Sequence, residues 1–286
     1  MTKRVKQRVE LIRYTAHPEA TIAAAAKLCY SSFPLDEIID KQQEEDNAKF
    51  ITMLVKMNHL SPFEHASFTF GIEGVSRALL AQITRHRLAS FSVRSQRYVS
   101  ESDFGYILPK SIETLGKASV KKFKEQMEQM SEWYKEWQTA LGGKGEHSNE
   151  DARFVLPNAA ETKMIVTMNA RELMHFFQLR TCERAQWEIR DLSWEMLQLV
   201  LNVAPTLFSR SGPGCCNTGC KEGKKACGEP KLWIDRQKRA VESGFATYEK
   251  NKFYKTKKSK KSGKLNIADE ITSATFGEQI DVFNFI

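Results

Sequence analysis

The sequence predicts an α+β fold in which a mixed sheet is flanked by long helices. Three observations carry this. Stretches with helical periodicity outnumber those with strand periodicity, and the two do not alternate as βαβ units would. A chain of 286 residues, 41% hydrophobic and 27% charged, can also bury a sizeable core without disulfide or metal staples.

The elements follow in order. Pro18 and the Ala-rich run after it predict a helix over 18–30, because Pro suits the first turn and Ala the interior. A second helix over 41–57 puts Phe50, Leu54 and Met57 at core spacing. Ser67-Phe68-Thr69-Phe70-Gly71-Ile72-Glu73 alternates as a half-buried strand does. A helix over 75–88 carries Val75, Leu79, Ile83 and Leu80, and a short strand follows at 104–108. One long helix over 111–140 ends at Gly142-Gly143-Lys144-Gly145. A strand over 162–168 points Met164, Val166 and Met168 inward, and Asn169 stands where a helix N-cap belongs. Helices over 170–180 and 184–203 present Leu173, Phe176 and Phe177, then Trp187, Leu192 and Leu199. Beyond 210 the pattern gives way to Gly, Cys and Lys, and there is no internal repeat. The chain therefore divides into a body, 1–210, and a Cys/Lys-rich extension of unknown fold, 211–286.

Composition excludes several classes. No apolar run reaches about 18 residues, so no membrane partner is expected. The basic start is interrupted by Glu10 and Arg13 and lacks an apolar signal-peptide centre, which predicts a cytosolic, cytoplasmic protein. The net charge of +8 is local: eight lysines lie in 250–264, and without them 35 basic residues balance 35 acidic ones. The body is thus not expected to bind nucleic acid. Of six cysteines, Cys29 and Cys182 read as small core residues. Cys215, Cys216, Cys220 and Cys227 lack a C-x2-C pair, and His59, Glu64 and His65 match no standard zinc spacing, so no metal is assigned. There is no G-x-G-x-x-G, G-x-S-x-G or H-E-x-x-H, and GCCNTGCK at 214–221 lacks the Gly-Lys-Ser/Thr ending of a phosphate loop. A competing reading, nucleic-acid binding through the lysine run and a cysteine knuckle, stays open at this level.

The chemistry concentrates in 82–98. This segment holds Arg85, His86, Arg87, Arg94 and Arg97, and no acid. Three consecutive basic residues at a helix end fan around its circumference, so at least one faces inward. A buried cation needs an anionic partner, and the segment offers none. The partner is therefore distant in the chain or is a ligand. Arg recognises phosphate bidentately, and Ser90, Ser92, Ser95 and Gln96 add hydroxyl and amide donors. Together they suit a phosphorylated heteroaromatic ligand.

Arg85-His86-Arg87, seven residues, then Ser95 resembles the R-H-R-x7-S signature of flavin-dependent thymidylate synthases. His59-Leu60-Ser61-Pro62-Phe63-Glu64-His65, Arg153-Phe154-Val155-Leu156-Pro157, Asn169-Ala170-Arg171, Leu179-Arg180 and Ala185-Gln186-Trp187-Glu188-Ile189 resemble further segments of that family, in the same order. The resemblance covers about residues 8–210. It implies a homotetramer with FAD and active sites at subunit interfaces, and a body that is the catalytic domain. The implied reaction converts dUMP to dTMP, with methylenetetrahydrofolate supplying the carbon and NADPH reducing the flavin. No Pro is followed by Cys, which disfavours the other thymidylate synthase class.

Carried over residue by residue, the resemblance implies FAD contacts for His59, Ser61, Glu64, Arg85, His86, Arg87, Val93, Asn169, Arg171 and His175. It implies dUMP contacts for Gln82, Arg85, Val93, Arg94, Ser95, Gln96, Arg97, Arg153 and Arg180. Arg180 is the expected catalytic residue, stabilising charge that develops on the uracil ring. Ser95 looks like a nucleophile but has no base beside it, which favours phosphate binding. Ser61 before Pro62 also reads as a helix cap, and His175 as an ordinary helix histidine. Val93 stands where many members carry Glu, so backbone contact alone carries over. Arg184 stands where several carry His, and Cys29 where Ser or Thr is frequent.

Overall fold

The computed structural model describes residues 2–261 except Lys144 and Thr218, with side chains through Asn251. Strands β1 (Lys3–Arg4) and β2 (Arg8–Tyr14) precede helices α1 (Pro18–Leu28), α2 (Leu35–Glu44) and α3 (Ala48–Lys56). Then come β3 (Ser67–Ser76), α4 (Arg77–Ile83), β4 (Ala89–Val93), β5 (Gly105–Tyr106), α5 (Lys110–Thr114), α6 (Lys117–Ala140) and α7 (Glu146–Ala152). The chain continues through β6 (Glu161–Asn169), α8 (Ala170–Arg180), α9 (Trp187–Leu201), α10 (Pro205–Phe208) and α11 (Pro230–Lys261).

The α+β class holds, but the sheet is not mixed. Its four strands run in the order β2-β3-β6-β4, and every neighbouring pair is antiparallel. The parallel pairing is confined to the two-residue β1–β5 ladder. The four-stranded sheet therefore needs none of the long crossovers that parallel neighbours require.

One sheet face is buried. Met164, Val166 and Met168 of β6 point inward as predicted, beside Phe68, Phe70 and Ile72 of β3. They join Leu79 and Ile83 of α4, Leu173, Phe176 and Phe177 of α8, and Leu192, Leu197 and Val200 of α9. Fully burying such a side chain contributes about 1.5–3 kcal/mol. The opposite face carries Glu10, Ile12, Gly71, Ile165 and a Thr69–Thr167 hydroxyl pair at 2.9 Å, and no element of the described chain covers it. A smaller core of Phe104, Tyr106, Leu108, Met127 and Ala160 lies under α6.

Several predicted elements are shorter or broken. The helix expected over 41–57 is two, α2 and α3, because Asn47 turns its amide onto the Gln42 carbonyl at 2.7 Å. Ile51 and Leu54 are buried, whereas Met57 is exposed. The helix expected over 75–88 is only α4: Val75 belongs to β3, and residues 84–88 form a turn. The long helix over 111–140 breaks at Gly116, whose φ of 98° lies in the left-handed region that favours glycine. Cys29 caps the exposed end of α1 and Cys182 is half-buried, so neither is a core residue. Ser61 opens a 3-10 turn but makes no cap bond.

The segment left without a fold by the sequence packs, in its described part, onto the body. Trp233 of α11 enters the main core and stacks on Trp194. At Gly244 an added Cβ would sit 2.6 Å from the Leu201 Cβ, so α11 and α9 touch closely there. Most of the lysine run at 250–264 lies outside the described side chains.

Candidate active site

The site begins at α4. Ser76 caps it, accepting the Leu79 N–H at 3.0 Å. Buried Glu188 of α9 accepts both the Ser76 N–H, at 2.7 Å, and the Ser76 hydroxyl, at 2.5 Å. Gln186 in turn caps α9 by accepting from the Glu188 and Ile189 N–H groups. These bonds fix where α4 begins, and the turn that follows its last residue, Ile83, carries Arg85, His86 and Arg87.

Of the three, His86 turns inward, as the fan of charges required that one should. Its side chain is 4% exposed, and its Nδ1 lies 2.9 Å from Oε1 of Glu172, itself buried in α8. Arg180, at the end of α8, donates Nε–H to His86 Nε2 at 3.1 Å and Nη2–H to the Gln82 carbonyl at 3.3 Å. An arginine nitrogen only donates, so His86 Nε2 carries the lone pair and the ring proton sits on Nδ1. The ring is therefore neutral. Burial is the main reason that its pKa lies below the ordinary histidine value. Arg180 and His175 push the same way, against the bond to Glu172. The Phe176 ring packs edge-on at 5.0 Å. Arg85 and Arg87 are exposed and, among the described residues, enter no ion pair.

Around this centre stand the other expected flavin residues. Asn169 is the N-cap of α8, its side chain accepting from the Glu172 N–H at 2.9 Å. Arg171 pairs with Glu64 at 2.5 Å, joining α8 to the segment that carries His59 and Ser61. His59, Ser61 and His175 are exposed, and the His175 ring centre is 6.0 Å from that of His86. The donor set fits a dianionic pyrophosphate: Arg85 and Arg87 are accessible and, among the described residues, unpaired, and burial together with the nearby Arg85 charge lowers the pKa of Arg180.

A second group gathers at the other end of β4. Arg94 donates Nη2–H to both oxygens of buried Glu101, at 2.9 and 2.8 Å. Arg77 lies close enough for its charge to interact with those of Glu101, Arg153 and Arg94. Ser95 Oγ accepts from the Arg97 and Tyr98 N–H groups, which leaves its own proton free to donate outward. Gln96 is buried, and its Nε2 has no partner among the described residues. Arg97 contacts Glu146 and Glu150 of α7. The loop is braced by Asn149, which accepts from Tyr134 and Gln138 and donates to the Arg97 carbonyl. Val93 faces this end from the close of β4, paired with Met164.

The expected residues thus fall into two sets separated by β4. Sequence reasoning missed the acids that organise both: Glu172, Glu101, Glu146 and Glu150. The lack of any acid in 82–98 was the signal that such partners exist, but it could not locate them.

Residues 10–206 match the family described as "Thymidylate synthase complementing protein". The flavin-dependent thymidylate synthase of Geobacter sulfurreducens is 50% identical over 224 residues, covering 78% of this chain and 94% of that protein. The one from Clostridium tetani is 48% identical over 78% of this chain and 93% of the relative. Among solved structures, a UMP/dUMP methylase, PolB from Streptomyces cacaoi bound with 5-Br dUMP, shares the fold at a TM-score of 0.61 and 23% identity. That match covers 74% of this chain and 98% of the other. The arrangement of Arg85, His86, Arg87 and Ser95 and the relatedness along most of the body agree: the chain belongs to the flavin-dependent thymidylate synthase family.

Proposed function

We propose that this chain is an FAD-dependent thymidylate synthase that converts dUMP to dTMP. In this reading methylenetetrahydrofolate is the carbon donor, NADPH is the source of the hydride, and the working form is a homotetramer. One observation carries the reading most: Arg180 is anchored by a neutral acceptor, His86 Nε2, and so keeps its full charge for a ligand. When bound, the flavin supplies the reducing equivalents.

The chain's own residues do the rest. Arg85 and Arg87 hold the pyrophosphate, with Arg171, Asn169 and His175 at its margin. Arg180 faces the pyrimidine and stabilises negative charge developing at N3 and the flanking carbonyls, which an always-charged guanidinium can do and a general base need not. Ser95, Gln96 and Arg97 donate to the nucleotide phosphate, and Arg153 with Arg94 shapes that end.

Two features support the assembly. Five residues of β4 span about 17 Å, more than one mononucleotide reaches, so the two sets in one chain serve different nucleotides. A second copy then completes each pocket, and the uncovered sheet face offers a surface to meet it. The test is release of tritium from dUMP labelled at C5, with methylenetetrahydrofolate and NADPH present. The expected result is tritium release with matching dTMP, and bleaching of the bound flavin on adding NADPH. A folded, flavin-loaded protein that releases no tritium overturns the reading.

A further inference from the structure

We propose that Glu172 is a positioning residue for Arg180, acting through the ring of His86. The inference rests on the reading of Arg180 as the group that faces the pyrimidine.

The bland role for Glu172 is an acid in the first turn of α8, favourable to the helix dipole. An acid there needs no burial. Glu172 is 6% exposed, and its carboxylate reaches away from its own helix to a turn 86 residues earlier in the chain. Burying a carboxylate is costly unless it is hydrogen-bonded. Its bond goes to the one atom, His86 Nδ1, whose protonation decides what Nε2 can do.

Free histidine side chains in water favour the Nε2–H tautomer. That form would aim a proton at the Nε–H of Arg180 and break the 3.1 Å bond. The Glu172 carboxylate accepts only, so it draws the proton to Nδ1 and leaves the Nε2 lone pair for Arg180. The second anchor of Arg180, the Gln82 carbonyl, fixes Nη2. Two anchors on one edge of a planar guanidinium set its plane, and Nη1, with no hydrogen bond among the described residues, is left for a ligand. Glu172, Arg180 and His175 from α8 are the charged and titratable groups facing the ring, with Arg85 and Arg87 beside it in its own turn. A second proton on His86 has the same consequence as the wrong tautomer, because both nitrogens then donate.

The test uses the full chain with flavin bound. Glu172→Met keeps side-chain volume and removes the acceptor, while Glu172→Gln keeps an oxygen that can accept. We expect Glu172→Met to lower kcat about tenfold, the low end of what acids that orient a metal-bound histidine carry, with KM for dUMP within threefold. Glu172→Gln recovers most of that loss. Its acid limb of kcat moves to lower pH, because the negative charge of Glu172, which helps to raise the His86 pKa, is gone. Histidine-selective 15N NMR reports the tautomer independently of activity: Nδ1–H in the parent, and a shift toward Nε2–H in Glu172→Met. The proposal is overturned if Glu172→Met retains kcat within twofold, or if kcat falls while the His86 tautomer is unchanged. Should Glu172→Met fail to fold, an acid limb that stays in place in Glu172→Gln overturns it. If the parent forms no dTMP, the reading of the function has failed, and the 15N spectra alone then decide whether Glu172 sets the tautomer.

Discussion

Apart from Arg171, which pairs with Glu64, the arginines at the two ends of β4 are held in opposite ways. At one end Arg94 and Arg97 sit on carboxylates, Glu101, Glu146 and Glu150. At the other, Arg180 sits on a neutral ring and a backbone carbonyl, while Arg85 and Arg87 pair with nothing in the described chain. A guanidinium bound to a carboxylate is oriented but locally neutralised. One bound to neutral acceptors is oriented and keeps its charge. The family reading asks the charged end to meet a pyrophosphate and a developing ring anion, and it asks the compensated end to shape a phosphate-binding loop. The difference in partners suits that division.

The sharpest way to break the comparison is at Arg180. Arg180→Lys keeps a positive charge but cannot bond His86 and the Gln82 carbonyl from one rigid plane. Turnover should fall by about 10²–10³, the usual effect of removing a donor aimed at developing charge, with flavin still bound. Single-turnover kinetics with flavin absorbance checks it. Turnover near that of the parent would mean that charge alone suffices and the anchoring is incidental.

Ser95→Ala probes the compensated end. Its hydroxyl accepts from two backbone N–H groups and has no base among its contacts in the described chain, so the proposed function casts it as a donor rather than a nucleophile. KM for dUMP should rise about tenfold, the effect of losing roughly 1.4 kcal/mol from a hydrogen bond to a charged group, with kcat within about threefold. Complete loss of methylation at unchanged dUMP affinity would restore the nucleophile reading.

Local chemistry made some of this legible and long-range contact hid the rest. Helix α8 was readable to its ends because Asn169 caps it and Leu173, Phe176 and Phe177 repeat on one face. Strand β6 showed its inward methionines by simple alternation. Strand β4, Ala89-Ser90-Phe91-Ser92-Val93, alternates just as plainly, but its neighbours are the arginines of the signature and its period was masked by them. Strand β2 is an edge strand whose inward residues, Val9 and Leu11, are only half-buried, so its pattern is weak. The breaks at Asn47 and Gly116 come from a side chain turned onto the backbone and from a positive φ, neither of which periodicity records. The demand for a remote acid was readable in 82–98. That Glu172 answers it depends on α8 packing against the turn after α4, a tertiary fact.

The smallest expected effect tests the compensation itself. Glu150 lies 3.0 Å from Arg97 Nε, but that N–H is out of line, so the contact is one of charge rather than a hydrogen bond. The two side chains are 42% and 35% exposed, and such pairs contribute little to stability. Glu150→Gln should therefore leave the urea midpoint within the equivalent of about 0.5 kcal/mol. It should also release part of the Arg97 charge toward the nucleotide, lowering KM for dUMP about twofold in dilute buffer. That gain should vanish near 1 M salt, where the screening length falls to about 3 Å. Glu146, which holds Nη2 of Arg97, limits the gain, so the double variant Glu146→Gln, Glu150→Gln should roughly double it again. If dUMP binding does not respond at low salt in either variant, the acids at this end position the loop without tuning its charge. The contrast between the two ends of β4 would then be one of geometry rather than of electrostatics.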